Sequence, residues 1–235
     1  GVQNVTRQLD ALNAQEYADV MNLAFDNAGY AADYEGRAYI NSDTNPYGLV
    51  TRTNWMDEIF RSGVIQNYDL SVKGGSENSR FYTSLGYRKT EGTLRNTYAD
   101  RYALRLNSDF DLGERFHVGE NFTILYDNGN YGVNTTSGYT GALITAIYYP
   151  PSATVWEDES AGLYGGVAPR GSDYIGSYGD LINPVAYLDR LNSKRPSTTL
   201  SGNAYAEYSI LDGLTYRFNL GLTRTNTTVK SFTSR

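Results

Sequence analysis

From residue 67 onward the chain is governed by a period of two, and no other feature restricts its fold as severely. Tyr68, Leu70 and Val72 alternate with Asn67, Asp69, Ser71 and Lys73; Phe81, Thr83, Leu85 and Tyr87 alternate with Tyr82, Ser84, Gly86 and Arg88. Tyr102, Leu104, Leu106 and Phe110 stand against Ala103, Arg105, Asn107 and Asp109. Later, Leu200, Ala204, Ala206, Tyr208 and Ile210 stand against Thr199, Ser201, Asn203, Tyr205 and Glu207, and Leu214, Tyr216, Phe218, Leu220 and Leu222 against Thr215, Arg217, Asn219 and Thr223. Successive side chains of a strand point to opposite faces, so each run predicts a strand with one apolar and one polar face. Phe116 to Tyr126 alternates less well: Glu120 falls among the apolar positions, and a bulge or shifted register is expected there.

The connections alternate between short and long. Residues 74–80, 111–115 and 211–213 are brief, whereas 89–100 is longer and 127–196 much longer. In an antiparallel meander, successive connections lie at opposite ends, so tight turns gather at one end and excursions at the other. Membrane-spanning β-barrels have this asymmetry, and Tyr68, Tyr87, Tyr102, Tyr126, Tyr208 and Tyr216 at strand ends suit their aromatic girdles. Half-buried strands of a soluble sandwich alternate in the same way, so the pattern alone leaves both architectures open.

Residues 1–66 read differently. They are acidic, with 4 Lys/Arg against 9 Asp/Glu. Asn13 and Glu16 form a capping box ahead of Tyr17, Val20, Met21, Ala24 and Phe25, which predicts a helix near 13–28 ended by Gly29. A shorter helical turn is expected over 54–61, with Trp55 and Ile59 on one side.

Composition removes several function classes. There is no Cys, which excludes thiolate metal sites and Cys nucleophiles, and the single His117 excludes His-cluster zinc sites. A net charge of -6 and a pI of about 4.9 argue against nucleic acid as a partner. Mean hydropathy is -0.49, and 22 of the 32 aromatic residues are Tyr, which fits amphipathic rings displayed on strands. The longest nearly apolar stretch, Ala142 to Tyr149, is far short of a spanning helix, which needs about 20 residues. No secretory leader pattern opens the chain.

Specific sequence words narrow the choice. The runs Gly1 to Asp10 (GVQNVTRQLD), Glu16-Tyr17, Asn54 to Gly63 (NWMDEIFRSG) and Gln66 to Glu77 (QNYDLSVKGGSE) resemble the SusC/RagA-type TonB-dependent outer-membrane transporters. Phe81 to Tyr87 with Glu91-Gly92, Arg101 to Arg105, and Asn183 to Ala186 are similar to the same family, in the same order. The resemblance implies an all-β fold, namely an antiparallel transmembrane β-barrel segment of about six to seven strands out of 22, with a helix-containing extracellular loop. It divides the chain into 1–66 (end of the first barrel strand and a large extracellular loop), 67–126 (barrel strands with short periplasmic turns), 127–196 (a long extracellular loop) and 197–235 (further barrel strands). Family members are far longer, so the resemblance implies a fragment, truncated at 235, without plug or TonB-contacting segment.

The expected function is therefore part of an importer of oligosaccharides or peptides in the bacterial outer membrane. Its implied partners are a SusD/RagB-like surface lipoprotein, outer-membrane lipid, a glycan or peptide substrate, and TonB through a segment outside this chain. No cofactor, metal or catalytic residue is expected. Tyr82, Arg88, Arg105, Asn107, Asn203, Tyr205, Arg217 and Asn219 are expected to face the lumen. In the long loop, Tyr131, Tyr139, Trp156, Tyr164 and Tyr174 are candidate ligand or partner contacts, with Tyr148 and Tyr149 beside them, because tyrosine faces stack on sugar rings or peptide side chains. The competing expectation is a short helix over 141–149 whose aromatics pack the loop onto itself or onto a partner. A soluble or surface-anchored glycan-binding β domain is the alternative function; a glycosidase is a third.

Several motifs carry little. Glu157-Asp158-Glu159 could supply paired carboxylates, yet such runs are usually solvated. His117, beside a tight turn with no nucleophile motif, reads as a surface residue. Asp127 to Asn130 has oxygen ligands at short spacing but reads as a turn, lacking the calcium-loop pattern. Gly74-Gly75 and Gly165-Gly166 lack the strand-loop-helix context of a phosphate cradle.

Overall fold

The computed structural model describes residues 1–137, 141–167, 178 and 181–233. Its frame is one antiparallel sheet. Strands β1 (Val2–Gln3), β2 (Gly63–Ser76), β3 (Ser79–Glu91), β4 (Tyr98–Leu112) and β5 (Phe116–Asn130) are hydrogen-bonded in that order. Of the later strands β8 (Leu191–Lys194), β9 (Ser197–Leu211), β10 (Leu214–Thr227) and β11 (Lys230–Thr233), β9 continues the sheet from β5 and β10 pairs with β9. β8 pairs with the end of β5 and with β11, carrying the same sheet past a break at Pro196. Proline has no N–H to give to a ladder, so the break falls where the sequence dictates it. The sheet is open: β10 has only β9 beside it.

The strands run longer than their alternation predicts. The β2–β3 connection shrinks to Glu77-Asn78 and the β3–β4 connection to residues 92–97. Beyond the alternating segments both faces are polar, so hydrophobic period vanishes while the backbone ladder continues. For the same reason Asp127 to Asn130 is not a turn but the end of β5. Nor is there a bulge at Glu120: β5 pairs without a shift against β4 and against β9, and Glu120 stands on the apolar face between Ser108 and Ala204.

Glycine and ring pairs lock the sheet. A β-carbon on Gly74 would collide with the ring of Phe81, one on Gly119 with Tyr205, and one on Gly202 with Phe122. Each ring covers a neighbouring strand's glycine, the cross-strand device known as aromatic rescue.

The buried apolar core lies outside the sheet, in a lobe at the ends of the strands. Helix α1 (Ala14–Asn27) starts on the capping box formed by Asn13 and Glu16. Its buried stripe is Ala14, Ala18 and Phe25, with Tyr17 and Met21 partly covered, while Val20 and Ala24 of the expected face are exposed. Helix α2 (Trp55–Ile59), capped by Asn54, packs with α3 (Ala142–Tyr148) and α4 (Pro184–Arg190). Asn183 caps α4 through Val185 and Ala186, and Pro184 occupies its first turn, where a missing N–H costs nothing. Trp55, Ile59, Ala146, Tyr149, Val185 and Leu188 meet in this core. The small hairpin of β6 (Trp156–Asp158) and β7 (Leu163–Tyr164) closes its flank.

Candidate functional site

The polar face of the sheet is built from adjacent rows of side chains, each following from strand register. All eight residues expected on the lumen side share this face: Tyr82 lies opposite Asn107, Arg105 opposite Ser84, Arg88 opposite Arg101, Tyr205 opposite Asn219, and Arg217 opposite Glu207, with Asn203 between Asn121 and Gly221. Asn121 and Thr123 belong to the same wall but escape a reading of alternation, because Glu120 blurs the period in β5. The signal that finds them is the continuation of that period through Phe122 and Ile124.

Three bands divide the wall. Hydroxyls dominate the first: Ser197 meets Thr227 at 2.9 Å, Thr199 meets Thr225 at 3.1 Å, and Ser201 meets Thr223 at 3.1 Å. The second is a row of amides in which Asn107, Asn121 and Asn203 stand side by side on three strands. The third is charged. His117 Nδ1 lies 2.6 Å from Asp111 Oδ1, and its Nε2 lies 3.3 Å from the hydroxyl of Tyr205. That hydroxyl donates to Asp109, while Arg217 pairs with Glu207 at 2.7 Å and stacks on the Tyr205 ring at 4.2 Å. His117 is thus not a free surface residue but a member of a polar network in which ions and a phenol satisfy one another.

The apolar face is framed by rings. Tyr68, Tyr87, Tyr102 and Tyr126 form one cross-strand row, with centroid separations of 6.3, 4.9 and 6.1 Å. At the other end Phe116, Tyr208 and Tyr216 line up across β5, β9 and β10. Between these rows the aliphatic side chains are uncovered: Leu70 and Leu220 are each 65% exposed.

In the lobe, two of the five expected contact residues, Tyr139 and Tyr174, lie outside the described residues. Trp156 and Tyr164 stack at 4.0 Å, Arg190 sits over the Tyr164 ring at 5.0 Å, and the Tyr164 hydroxyl donates to Asp189 at 3.0 Å. Tyr131 closes the end of β5, its hydroxyl donating to the Arg195 carbonyl at 3.3 Å. Tyr148 is exposed at the end of α3, whereas Tyr149 is buried and donates to the Gly165 carbonyl at 2.9 Å; burial pushes its phenol up from the ordinary value. In the acidic run, Asp158 accepts from the Ser160 hydroxyl at 2.6 Å and from the Ala161 amide, and these bonds hold its carboxyl below the usual range.

Lobe and sheet are joined by amides. Asn130 Nδ2 donates to the carbonyls of Asn96 and Leu191, and its Oδ1 accepts from the Ser193 amide at 2.9 Å. Asn96, in the left-handed region at φ 58°, donates to the Leu188 carbonyl at 2.9 Å. Arg95 pairs with Asp189 at 2.7 Å, and its backbone amide donates to the Ile59 carbonyl.

Among the described residues no cluster of three His, Cys, Asp or Glu side chains is placed to hold a metal ion, and none of the helices is long and apolar enough to cross a membrane.

No protein-family model matches the chain. Among curated proteins, the TonB-dependent receptor P3 of Formosa agariphila is 28% identical over 98% of the chain. The TonB-dependent receptor SusC of Bacteroides thetaiotaomicron is 28% identical over 74% of it. The chain spans about a fifth of the length of these relatives, 21% and 18% respectively. Among solved structures, the RagAB peptide transporter matches 98% of the chain and 28% of its own at a TM-score of 0.70 and 20% identity. The RagAB peptide importer in its closed-closed state matches at 0.67. The chain is thus similar to TonB-dependent receptors of the SusC/RagA type along most of its length, as its sequence words imply, and its fold is that of the corresponding part of a barrel transporter.

Proposed function

We propose that this chain forms part of the wall and outer loops of a TonB-dependent importer in the bacterial outer membrane, carrying oligosaccharides or peptides. The observation that carries this reading is the distance between the two aromatic rows. From Tyr102 to Leu112, whose cross-strand partner is Phe116, the strand advances ten residues, about 34 Å at the usual rise. At a tilt of about 40° that is about 26 Å across the bilayer, against an apolar band of about 25 Å in membrane barrels.

In this reading, 67–126 and 197–235 are spanning strands, their tight turns on the periplasmic side. Residues 1–66 and 127–196 supply extracellular loops, and the helical lobe is the loop structure above the rim. The polar wall is the lumen side, and the work done is transport, not catalysis. TonB would act through a segment outside this chain. A SusD/RagB-like lipoprotein fits as the partner at the lobe, a reading supported by the likeness to SusC and RagAB.

The chain has no cysteine, so single-Cys labelling tests the facing directly. Fluorophores at Leu104→Cys and Leu106→Cys should be quenched by brominated lipids, and those at Arg105→Cys and Asn107→Cys should not. The reverse pattern, or a monodisperse protein without detergent, overturns the proposal in favour of a soluble domain.

A further inference from the structure

The polar wall carries charge unevenly. On β2, β3 and β4 it presents Lys73, Arg80, Arg88, Arg101 and Arg105 against Asp69, Asp109 and Asp111. The aspartates are largely committed: Asp109 and Asp111 bind Tyr205 and His117, and Asp69 accepts from Asn67. Arg101 is paired with Asp127 at 2.6 Å. Among the described residues no carboxylate pairs with Lys73, Arg80, Arg88 or Arg105. These four descend the wall: Arg88 lies level with Arg101, Arg105 four residues further along β4, Lys73 level with Asn107, and Arg80 opposite Asp109. A chain of net charge -6 thus gathers uncompensated cations on one side of three strands.

The surroundings of the cations narrow what they meet. Lys73, Arg80, Tyr82, Asn107, Asn121 and the already committed Asp109 line an open hollow of about 690 Å³. From the row of Arg105 to that of Asp111 the inward side chains of β2 to β5 are hydroxyls, amides, a phenol, an imidazole and ions, without one aliphatic group. Amides and hydroxyls both donate and accept, which suits a polyhydroxylated solute, and an aromatic face stacks on a sugar ring. Apolar peptide side chains would find no pocket here. Rows of Arg and Lys favour anions in pores.

We infer that the wall of β2 to β4 is a track for an anionic oligosaccharide, one bearing sulfate or carboxylate groups, with Arg80, Arg88, Arg105 and Lys73 taking the charges and Tyr82, Asn107 and Asn121 the sugar. This rests on the importer reading and names its substrate class.

Titration calorimetry on the detergent-solubilised chain tests it, with three probes: sulfated dextran oligosaccharide, neutral dextran oligosaccharide of equal length, and polyglutamate of equal charge. The sulfated sugar should bind at least about tenfold more tightly than the neutral one and weaken as salt rises. Arg105→Gln should lose about fivefold in affinity, while Arg224→Gln, which removes the same charge from the apolar face opposite Leu200, should leave binding unchanged. Circular dichroism checks that both variants keep their strands. Equal affinity for neutral dextran, equal effects of the two substitutions, or no binding of any probe overturns the inference. Polyglutamate binding as tightly as the sulfated sugar overturns the glycan assignment. If the lipid-quenching pattern holds while the sulfated sugar shows no preference, the track falls and the importer reading stands.

Discussion

The lobe and the sheet obey opposite rules of polarity within one chain. In the lobe, Trp55, Ile59, Val185 and Leu188 are buried in a shared interior, as in a protein folding in water. In the sheet, Leu70, Phe218 and Leu220 are exposed and the opposite face carries the ions. The hydrophobic effect drives both arrangements, but in the sheet the apolar surface is left for a partner the chain does not supply. Hydrophobic side chains therefore stabilise the lobe by packing on one another and the sheet by what they face.

The largest effect that would break this contrast is in the lobe. Trp55 is buried against Tyr149 and donates to the Pro150 carbonyl at 3.0 Å. Trp55→Ala should cost about 3–5 kcal/mol in denaturant unfolding; a loss below about 1 kcal/mol would mean that the lobe core is not cooperative. Next comes the sheet, where Leu106→Arg and Phe218→Arg should each cost about 2–4 kcal/mol in lipid. Should both insert as wild type while Asn107→Leu and Asn219→Leu fail, the two faces are inverted. At the junction, Asn130→Ala strips partners from the buried Leu191 carbonyl and Ser193 amide and should cost about 1–3 kcal/mol, seen as faster proteolysis of the lobe with the strands intact. Smallest is Glu120→Leu. A carboxylate on the apolar face is a liability in hydrocarbon, so its removal should stabilise the inserted protein by about 1 kcal/mol; destabilisation would reveal a polar partner for Glu120.

Much of the sheet is legible in the sequence because its period is set by neighbouring residues. The alternation around Leu104 and Leu106 places Arg105 and Asn107 on the other face without knowledge of any partner strand. The Asn13 and Glu16 capping box is likewise local and is present in the structure. Strand ends are less legible: at Asp127 to Asn130 both faces are polar, and the strand continues only through its ladder to β4. Asn130 itself looks like a turn residue or an oxygen ligand, since its true partners, Leu191 and Ser193, lie some sixty positions away. In α1 the expected stripe is displaced: Val20 and Ala24 face outward, and Ala14 and Ala18, whose small side chains allow close approach, are buried instead. The rings of Trp156 and Tyr164 were legible as aromatic but not as stacked on each other, which depends on the β6–β7 pairing.

The glycine and ring pairs have a bearing on assembly. A one-residue slip between β5 and β9 would turn the apolar side chains of one strand, such as Phe122 and Ile124 of β5, to the wrong side. It would also lift Phe122 off Gly202 and set its ring above the side chain of a neighbour, where there is no room for it. Similar sockets at Gly74 and Gly119 act on the β2–β3 and β5–β9 pairings. The wall is keyed like a lock with pins at several depths: strands that meet out of step cannot close, so errors of pairing are rejected before the apolar face is covered.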